Sequence, residues 1–191
     1  MPRYIKIFEN ALSPAFCDEL VDKMRKDKRV KDDPQPEYST RKYLFISDKG
    51  DWSPTCLRLA KIANPLVEQY FARPDSMQET RPAQWLDDGF VMAHYPKGAI
   101  CALHADGQCS EPPYNGHRIA TLLMFLNSVE EGGEIYFPMQ NVKIKPQKGR
   151  AIIFPPGYHH PHEVLAPGSD RYICQTWITD ADLVVAERSD Y

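Results

Sequence analysis

The residues of this chain best suited to metal chemistry are two histidines and one aspartate. His104 and Asp106 are separated by one residue, and His162 follows much later, at the start of another alternating segment. Alternate side chains of a β-strand point to the same face, so His104 and Asp106 could reach one ion together. His162 could supply a second imidazole from a neighbouring strand. Two imidazoles and one carboxylate suit Fe(II), Mn(II) or Zn(II).

The third ligand could come from any of three histidines. A His-x-Asp pair is a weak signal alone, and His159 and His160 are alternatives to His162. We favour His162, because it begins the alternating segment and lies nine positions before Arg171. His159 and His160 are expected to form a polar rim on the preceding loop. The resulting ligand set leaves one face of the metal open, as in non-haem Fe(II) oxygenases.

Two further residues could bind a carboxylate beside the metal. Arg171 stands near the start of a predicted strand, and a buried arginine can pair with a carboxylate through two parallel hydrogen bonds. Tyr95 lies nine positions before His104, and its phenol could donate a hydrogen bond to the same group. The sequence therefore predicts an anion site next to the metal site.

Composition limits the remaining function classes. The chain has 191 residues, 42% of them apolar and 26% charged, which suits a single packed domain. The net charge of −3 provides no field that would gather nucleic acid or an anionic membrane surface. No apolar run is long enough to span a bilayer. We expect neither a nucleic-acid nor a membrane partner, and the oligomeric state stays open.

Five cysteines are scattered without any C-x-x-C spacing. An odd, dispersed set argues against a disulfide framework and against a zinc knuckle. The first residues lack the apolar stretch of a signal peptide. Together these features predict a protein of the reducing cytoplasm.

Residues 1–84 are predicted to form a mostly helical N-terminal support. Ser13 followed by Pro14 is typical of a helix start, and helical spacing of apolar residues continues to about Lys28. Ser53 begins a second helix, which Pro65 should kink or split. Short strands are predicted at residues 4–8 and 43–46.

Residues 85–180 are predicted to be a β-rich core. Short apolar or alternating runs are separated there by Gly, Pro and Asn, which favours a sandwich or barrel over a parallel sheet. The eight predicted strands cover residues 90–95, 100–104, 119–126, 134–137, 142–144, 151–154, 163–165 and 172–178. No linker divides the chain, so residues 1–191 are predicted to form one domain.

The order of these motifs resembles the prolyl-4-hydroxylase-like branch of the Fe(II)/2-oxoglutarate dioxygenases, over about half of the chain. The matching features run from a Tyr-Pro-x-Gly turn to a C-terminal tryptophan: Tyr95 to Gly98, His104 and Asp106, residues 117–127, Gly132 to Glu134, Phe137 and Pro138, residues 148–154, His162 to Val164, Arg171 and Trp177. The complete ordered set is specific, whereas any single member is not.

The resemblance implies a mainly β fold, a double-stranded β-helix or jelly roll with the N-terminal helices packed outside. It implies that His104, Asp106 and His162 are the catalytic Fe(II) ligands. Arg171 and Tyr95 would bind 2-oxoglutarate. O2 would be the second cosubstrate, with ascorbate as an optional reductant. The reaction would hydroxylate an unactivated C–H bond and release succinate and CO2.

The resemblance also suggests where a substrate binds. Arg118 and Trp177 would lie at the substrate site, and residues 30–42 and 72–90 would form loops that cover its mouth. The substrate would be a peptide or protein residue, with proline the first expectation, or a free amino acid or related metabolite. Asp87 and Asp88 could meet a cationic substrate, although we expect both to be simply exposed.

The chain departs from several relatives at two positions near the expected cosubstrate. Phe125 replaces a tyrosine and Ile135 replaces a threonine, which leaves Tyr95 and Arg171 as the remaining anchors. Two other functions stay open. One is a cupin-like metalloenzyme that does not use 2-oxoglutarate, and the other is a non-catalytic binding module with the same fold.

Overall fold

The computed structural model describes residues 4–72, 84–107 and 118–180. Residues 73–83, which belong to the predicted mouth loop at residues 72–90, lie outside these ranges. Within the described residues, no helix has both the length and the apolar character needed to cross a bilayer.

Two α-helices begin where the sequence predicts. Helix α1 spans Pro14–Lys26, and the Ser13 hydroxyl caps it by accepting a hydrogen bond from the Phe16 N–H at 3.3 Å. Helix α2 spans Ser53–Phe71 and follows a short 3-10 turn at Gly50–Trp52. Pro65 lies inside α2 and does not split it.

Twelve strands are described in those ranges. They are β1 (Lys6–Phe8), β2 (Lys31–Asp32), β3 (Lys42–Phe45), β4 (Trp85–Asp87), β5 (Val91–Tyr95), β6 (Cys101–His104), β7 (Arg118–Phe125), β8 (Ile135–Phe137), β9 (Val142–Ile144), β10 (Ala151–Phe154), β11 (His162–Val164) and β12 (Arg171–Asp180). All eight strands predicted after residue 85 are confirmed, with bounds shifted by two residues at most. The two strands that the sequence did not predict, β2 and β4, are only two and three residues long.

The strands form two antiparallel sheets. In the larger sheet the order is β1-β10-β7-β12-β5-β3-β2, and β4 pairs with β12. In the smaller sheet the order is β6-β11-β8-β9. Three strands of the large sheet, β1 to β3, come from the N-terminal part, so that part supplies edge strands as well as helices.

Side-chain alternation gives the large sheet two apolar faces. One face shares a core cluster with both helices; its members include Leu122, Met124 and Cys174 from the sheet and Leu20 and Val67 from the helices. The other face shares a second cluster with the four-stranded sheet; its members include Leu123, Phe125, Ile173, Phe137 and Val164. The predicted metal and anion residues lie in the region of this second cluster.

Candidate metal centre

The predicted metal ligands come together where β6 and β11 pair. His104 lies directly opposite His162 in this antiparallel pair, and Asp106 follows just past the end of β6. One potential ligand atom from each residue lies within 4.8 Å of the others. The Nε2 atoms of His104 and His162 are 3.5 and 3.6 Å from the two carboxylate oxygens of Asp106. Strand register, rather than proximity in sequence, therefore builds the group.

Main-chain carbonyls orient both imidazoles. The Nδ1 atom of His104 lies 2.8 Å from the carbonyl oxygen of Ala102, and Nδ1 of His162 lies 3.2 Å from that of His160. An Nδ1–H that donates to a carbonyl leaves Nε2 with its lone pair free. Both Nε2 atoms face Asp106, so the two rings present metal-binding nitrogens to the same point.

Asp106 is held by two residues of β7. The Thr121 hydroxyl donates to Oδ2 of Asp106 at 2.8 Å, and Nη1 of Arg118 donates to its main-chain carbonyl at 3.1 Å. The side chain of Asp106 is only 10% exposed. These contacts fix the carboxylate. Asp106 itself lies beyond the end of β6, whereas the argument from alternating side chains had placed it on the strand.

The electrostatics of the group favour a cation. Burial opposes charge on His104, but its hydrogen bond to Asp106 prevails and raises the pKa of His104 to about 11. The same pairing overcomes burial and holds the pKa of Asp106 well below its usual range. Burial lowers the pKa of His162, which keeps that imidazole neutral. A metal ion would replace the proton held between His104 and Asp106, and the donor set fits Fe(II), Mn(II) or Zn(II).

The two alternative histidines lie outside this group. His159 is exposed, as predicted. His160 is 7% exposed and its ring meets Tyr4 edge-on at 6.2 Å, so the prediction of a polar rim was wrong for His160. Its aromatic ring packs inward at the start of the β11 segment.

Arg171 forms a buried cationic site. It lies opposite Tyr95 in the β12–β5 pair and is fully buried. Its guanidinium carbon lies 4.7 Å from the ring centre of Tyr95 and 5.3 Å from that of Phe125. None of its three side-chain nitrogens has a hydrogen-bond partner among the described residues. Burial lowers the pKa of Arg171, and a desolvated, unpaired guanidinium is the chemistry expected of a carboxylate site.

A cavity of about 120 Å³ lies beside the metal group and reaches Tyr95. Its walls include all three predicted metal ligands, Tyr95, and Ile135 at one of the two departures noted in the sequence. Arg171 is not one of the lining residues and lies against Tyr95, which is. Phe125, the other departure, faces the Arg171 guanidinium, so both substituted positions border the expected cosubstrate region.

Three polar residues of this cavity were not predicted from the sequence: Arg41, Thr121 and Gln175. Thr121 and Gln175 lie on strands that carry other site residues, at even spacing from Leu123 and Trp177, so strand alternation could have found them. Arg41 lies just before β3, and its Nε pairs with Asp33 at 2.8 Å. The only sequence feature that pointed to Arg41 was its position in residues 30–42, which were predicted to form a loop over the mouth of the substrate site.

The two predicted substrate residues occupy different places. Trp177 lines the cavity. Arg118 is not part of the cavity wall; its guanidinium carbon lies 3.9 Å from the ring centre of Trp177, and its Nε pairs with Asp88 at 2.8 Å. Asp88 is 6% exposed, so the prediction of exposure was wrong. Its N–H donates to the Trp177 carbonyl at the end of β4, which draws the residue into the sheet.

Comparison with known proteins shows what this site is similar to. Residues 90–179 match the family model described as the 2OG-Fe(II) oxygenase superfamily. Over this stretch, just under half of its length, the chain is therefore similar to the 2OG-Fe(II) oxygenases. The matched residues contain the three predicted metal ligands, Tyr95 and Arg171.

Individual relatives agree with this similarity. A protein of Arabidopsis thaliana assigned as prolyl 4-hydroxylase 7 is 42% identical, and the alignment covers 78% of this chain and 51% of that protein. A protein of Acanthamoeba polyphaga mimivirus, assigned to the prolyl 4-hydroxylases, is 22% identical, and the alignment covers 91% of this chain and 73% of that protein. The chain thus spans about half the length of the plant relative.

A solved structure shares the fold of this chain. It is a prolyl hydroxylase of Trichoplax adhaerens, in complex with a peptide fragment of the oxygen degradation domain of hypoxia inducible factor. The TM-score is 0.77 at 19% identity, and the match covers 97% of this chain and 87% of that one.

Proposed function

We propose that this protein is an Fe(II)- and 2-oxoglutarate-dependent dioxygenase that hydroxylates a peptidyl residue, with proline as the first candidate. One observation carries the proposal. A two-histidine, one-carboxylate group lines a cavity together with Tyr95, and a fully buried arginine without a hydrogen-bond partner among the described residues packs against that tyrosine. A metal site alone suits many hydrolases and isomerases. A second site that binds a carboxylate, next to the metal site, suits a dicarboxylic cosubstrate.

The residues have separate roles in this proposal. His104, Asp106 and His162 hold Fe(II), and Arg171 with Tyr95 binds the distal carboxylate of 2-oxoglutarate. When bound, the iron and the cosubstrate supply the O2-dependent oxidation that hydroxylates the substrate and yields succinate and CO2. The apolar walls of the cavity keep bulk water away from these groups, which strengthens every charge interaction inside. Trp177 borders the side from which a substrate would enter.

We also propose the finer description of the fold. The two antiparallel sheets share one core, which supports a double-stranded β-helix or jelly roll over residues 85–180. The cluster shared by α1, α2 and the opposite face of the large sheet supports helices packed outside it. A single domain over residues 1–191 stays a prediction, as do the cytoplasmic location and the use of ascorbate.

The peptide substrate is supported by the relatives. The Arabidopsis and mimivirus proteins are assigned to the prolyl 4-hydroxylases, and the Trichoplax enzyme was solved with a peptide. The alternative of a cupin-like enzyme without 2-oxoglutarate leaves the buried Arg171 guanidinium without a function. A non-catalytic binding module would need neither the metal group nor this arginine.

The first experiment is anaerobic visible spectroscopy of the purified protein. Fe(II) is added first and 2-oxoglutarate second, with Asp106→Ala as the test variant and the exposed Asp22→Ala as its control. We expect a metal-to-ligand charge-transfer band with the natural protein and with Asp22→Ala, and none with Asp106→Ala. Bound iron without any band on adding 2-oxoglutarate would overturn the cosubstrate assignment.

Proline-containing peptides then test the substrate. We expect mass spectrometry to show one added oxygen per succinate released, with free proline unchanged. Hydroxylation of the free amino acid, with no reaction of any peptide, would overturn the peptide assignment but leave the oxygenase assignment intact.

A further inference from the structure

Asn127 contacts the backbone on both sides of Arg171. Its Nδ2 donates to the carbonyl oxygen of Asp170 at 2.7 Å, and its Oδ1 accepts from the N–H of Tyr172 at 2.7 Å. One side-chain amide thus binds the peptide groups immediately before and after the arginine. Asn127 follows β7, is the last residue of the matching stretch 117–127, and has no role in the proposed function.

The amide replaces a missing part of the sheet. The β12–β7 ladder begins at Ile173 opposite Phe125, so Arg171 precedes the regular pairing on that side. A carboxamide carries the same donor and acceptor groups as a peptide bond. Asn127 therefore extends the ladder to the residues that flank Arg171, and it fixes the backbone from which the guanidinium projects.

Packing fixes the rest of the Arg171 side chain. A Cβ atom at Gly133 would lie 3.3 Å from Cδ of Arg171, so the glycine lets this turn sit close to the aliphatic stem. The guanidinium itself meets only the faces of Tyr95 and Phe125 among the contacts described above. The guanidinium nitrogens donate no hydrogen bond to a described residue. The position of the Arg171 backbone and the packing of its side chain therefore determine where the positive charge lies.

We infer that Asn127 is a positioning residue for the cosubstrate: it places Arg171 so that the pocket distinguishes a 2-oxo acid with a distal carboxylate from one without. This inference rests on the proposed binding of 2-oxoglutarate at Arg171. It assigns Asn127 no contact with the cosubstrate or the metal. Its effect passes entirely through Arg171.

Equilibrium binding tests the inference without turnover. Mn(II)-loaded protein is titrated with 2-oxoglutarate, and separately with 2-oxobutyrate, which lacks the distal carboxylate. We expect Asn127→Ala to weaken 2-oxoglutarate binding by roughly tenfold or more, since two hydrogen bonds to the Arg171 backbone are lost. Binding of 2-oxobutyrate and of Mn(II) should stay unchanged. Asn64→Ala, at an exposed position of α2, is the matched control and should change none of the three.

A double-mutant cycle separates positioning from a general structural effect. In an Arg171→Met background, Asn127→Ala should cause no further loss of 2-oxoglutarate binding, because the residue through which Asn127 acts is gone.

Three results would overturn the inference: unchanged 2-oxoglutarate affinity in Asn127→Ala, equal weakening of both 2-oxo acids, or losses that add in the double mutant. A natural protein that binds the two acids equally well would instead overturn the proposed cosubstrate site. The two failures are therefore distinguishable in one set of titrations.

Discussion

The Nε atom of Arg118 lies 2.8 Å from Oδ2 of Asp88, whose side chain is only 3% exposed. The same arginine donates to the main-chain carbonyl of Asp106 and lies over the ring of Trp177. A buried ion pair therefore supports both a predicted metal ligand and a wall of the cavity. The arginine that the resemblance places at the substrate site acts in this structure as a support for Asp106.

Asp88→Ala should destabilise the fold and weaken metal binding together. The substitution leaves the mostly buried Arg118 guanidinium without its carboxylate partner. Removing one partner of a typical buried ion pair lowers the free energy of unfolding by about 3–5 kcal/mol. Urea unfolding of the metal-free protein measures the first effect, and Mn(II) titration measures the second. Asp22→Ala, at an exposed position of α1, is the control. Equal stability of the two variants would show that the ion pair contributes little.

Arg171→Met should raise stability while it removes cosubstrate affinity. Without a ligand the buried guanidinium has no described hydrogen-bond partner, so an apolar side chain of similar length should suit the site better. Loss of a charge-assisted, two-bond contact should weaken 2-oxoglutarate binding on the order of 100-fold. Thermal unfolding and calorimetry measure the two effects. Lower stability with unchanged affinity would mean that Arg171 is a structural residue and not an anion site.

Acid should remove the stabilisation that Asp27 provides. Its carboxylate accepts hydrogen bonds from Arg29 and from the Trp52 indole at 2.8 Å, and the Arg29 contact chiefly holds the pKa of Asp27 well below its usual range. A carboxyl with a lowered folded-state pKa stabilises the fold above its unfolded pKa of about 4, and this contribution is lost as pH falls through the folded value.

Asp27→Asn checks this pH dependence. The difference in unfolding free energy between the natural protein and the variant should be largest near neutral pH and should shrink below about pH 4. Urea unfolding at several pH values measures it. A difference that stays constant down to acid pH would show that Asp27 acts through packing or neutral hydrogen bonds.

Local patterns were sufficient to predict most elements. Ser13 and Pro14 mark the start of α1 because a hydroxyl cap and a fixed φ angle are properties of those residues alone. The β7 segment was predicted from its apolar residues, because the alternate side chains of this strand pack on the two opposite faces of the sheet. Strand β2 was missed because two residues are too short to show a period. Pro65 was expected to kink or split α2; the helix is not split, and Leu66 and Val67 are buried in the core just after the proline.

The site was less accessible from sequence because it depends on pairing between distant strands. Three histidines were candidates, and the register that places His162 opposite His104 selects one of them. Asp88 looked like one half of an exposed acidic pair, but the hydrogen bond of its N–H to β12 and its ion pair with Arg118 hold it in a buried position. Arg41 reaches the cavity from a loop that no motif marks.

Gly132→Ala should destabilise the protein far more than Gly50→Ala. A Cβ at Gly132 would lie 2.0 Å from the carbonyl oxygen of Ala166, and the residue has a φ of +68°, which L-residues rarely adopt. Gly50 has open space around it. Strain and backbone displacement together should cost about 2 kcal/mol or more at Gly132, and thermal unfolding of the two variants compares them.

Because the displaced segment leads through Pro167 to Arg171, the Gly132 variant should also lose 2-oxoglutarate affinity while keeping Mn(II) affinity. Retained affinity for both, at reduced stability, would show that the turn supports the fold but does not transmit its geometry to the anion site.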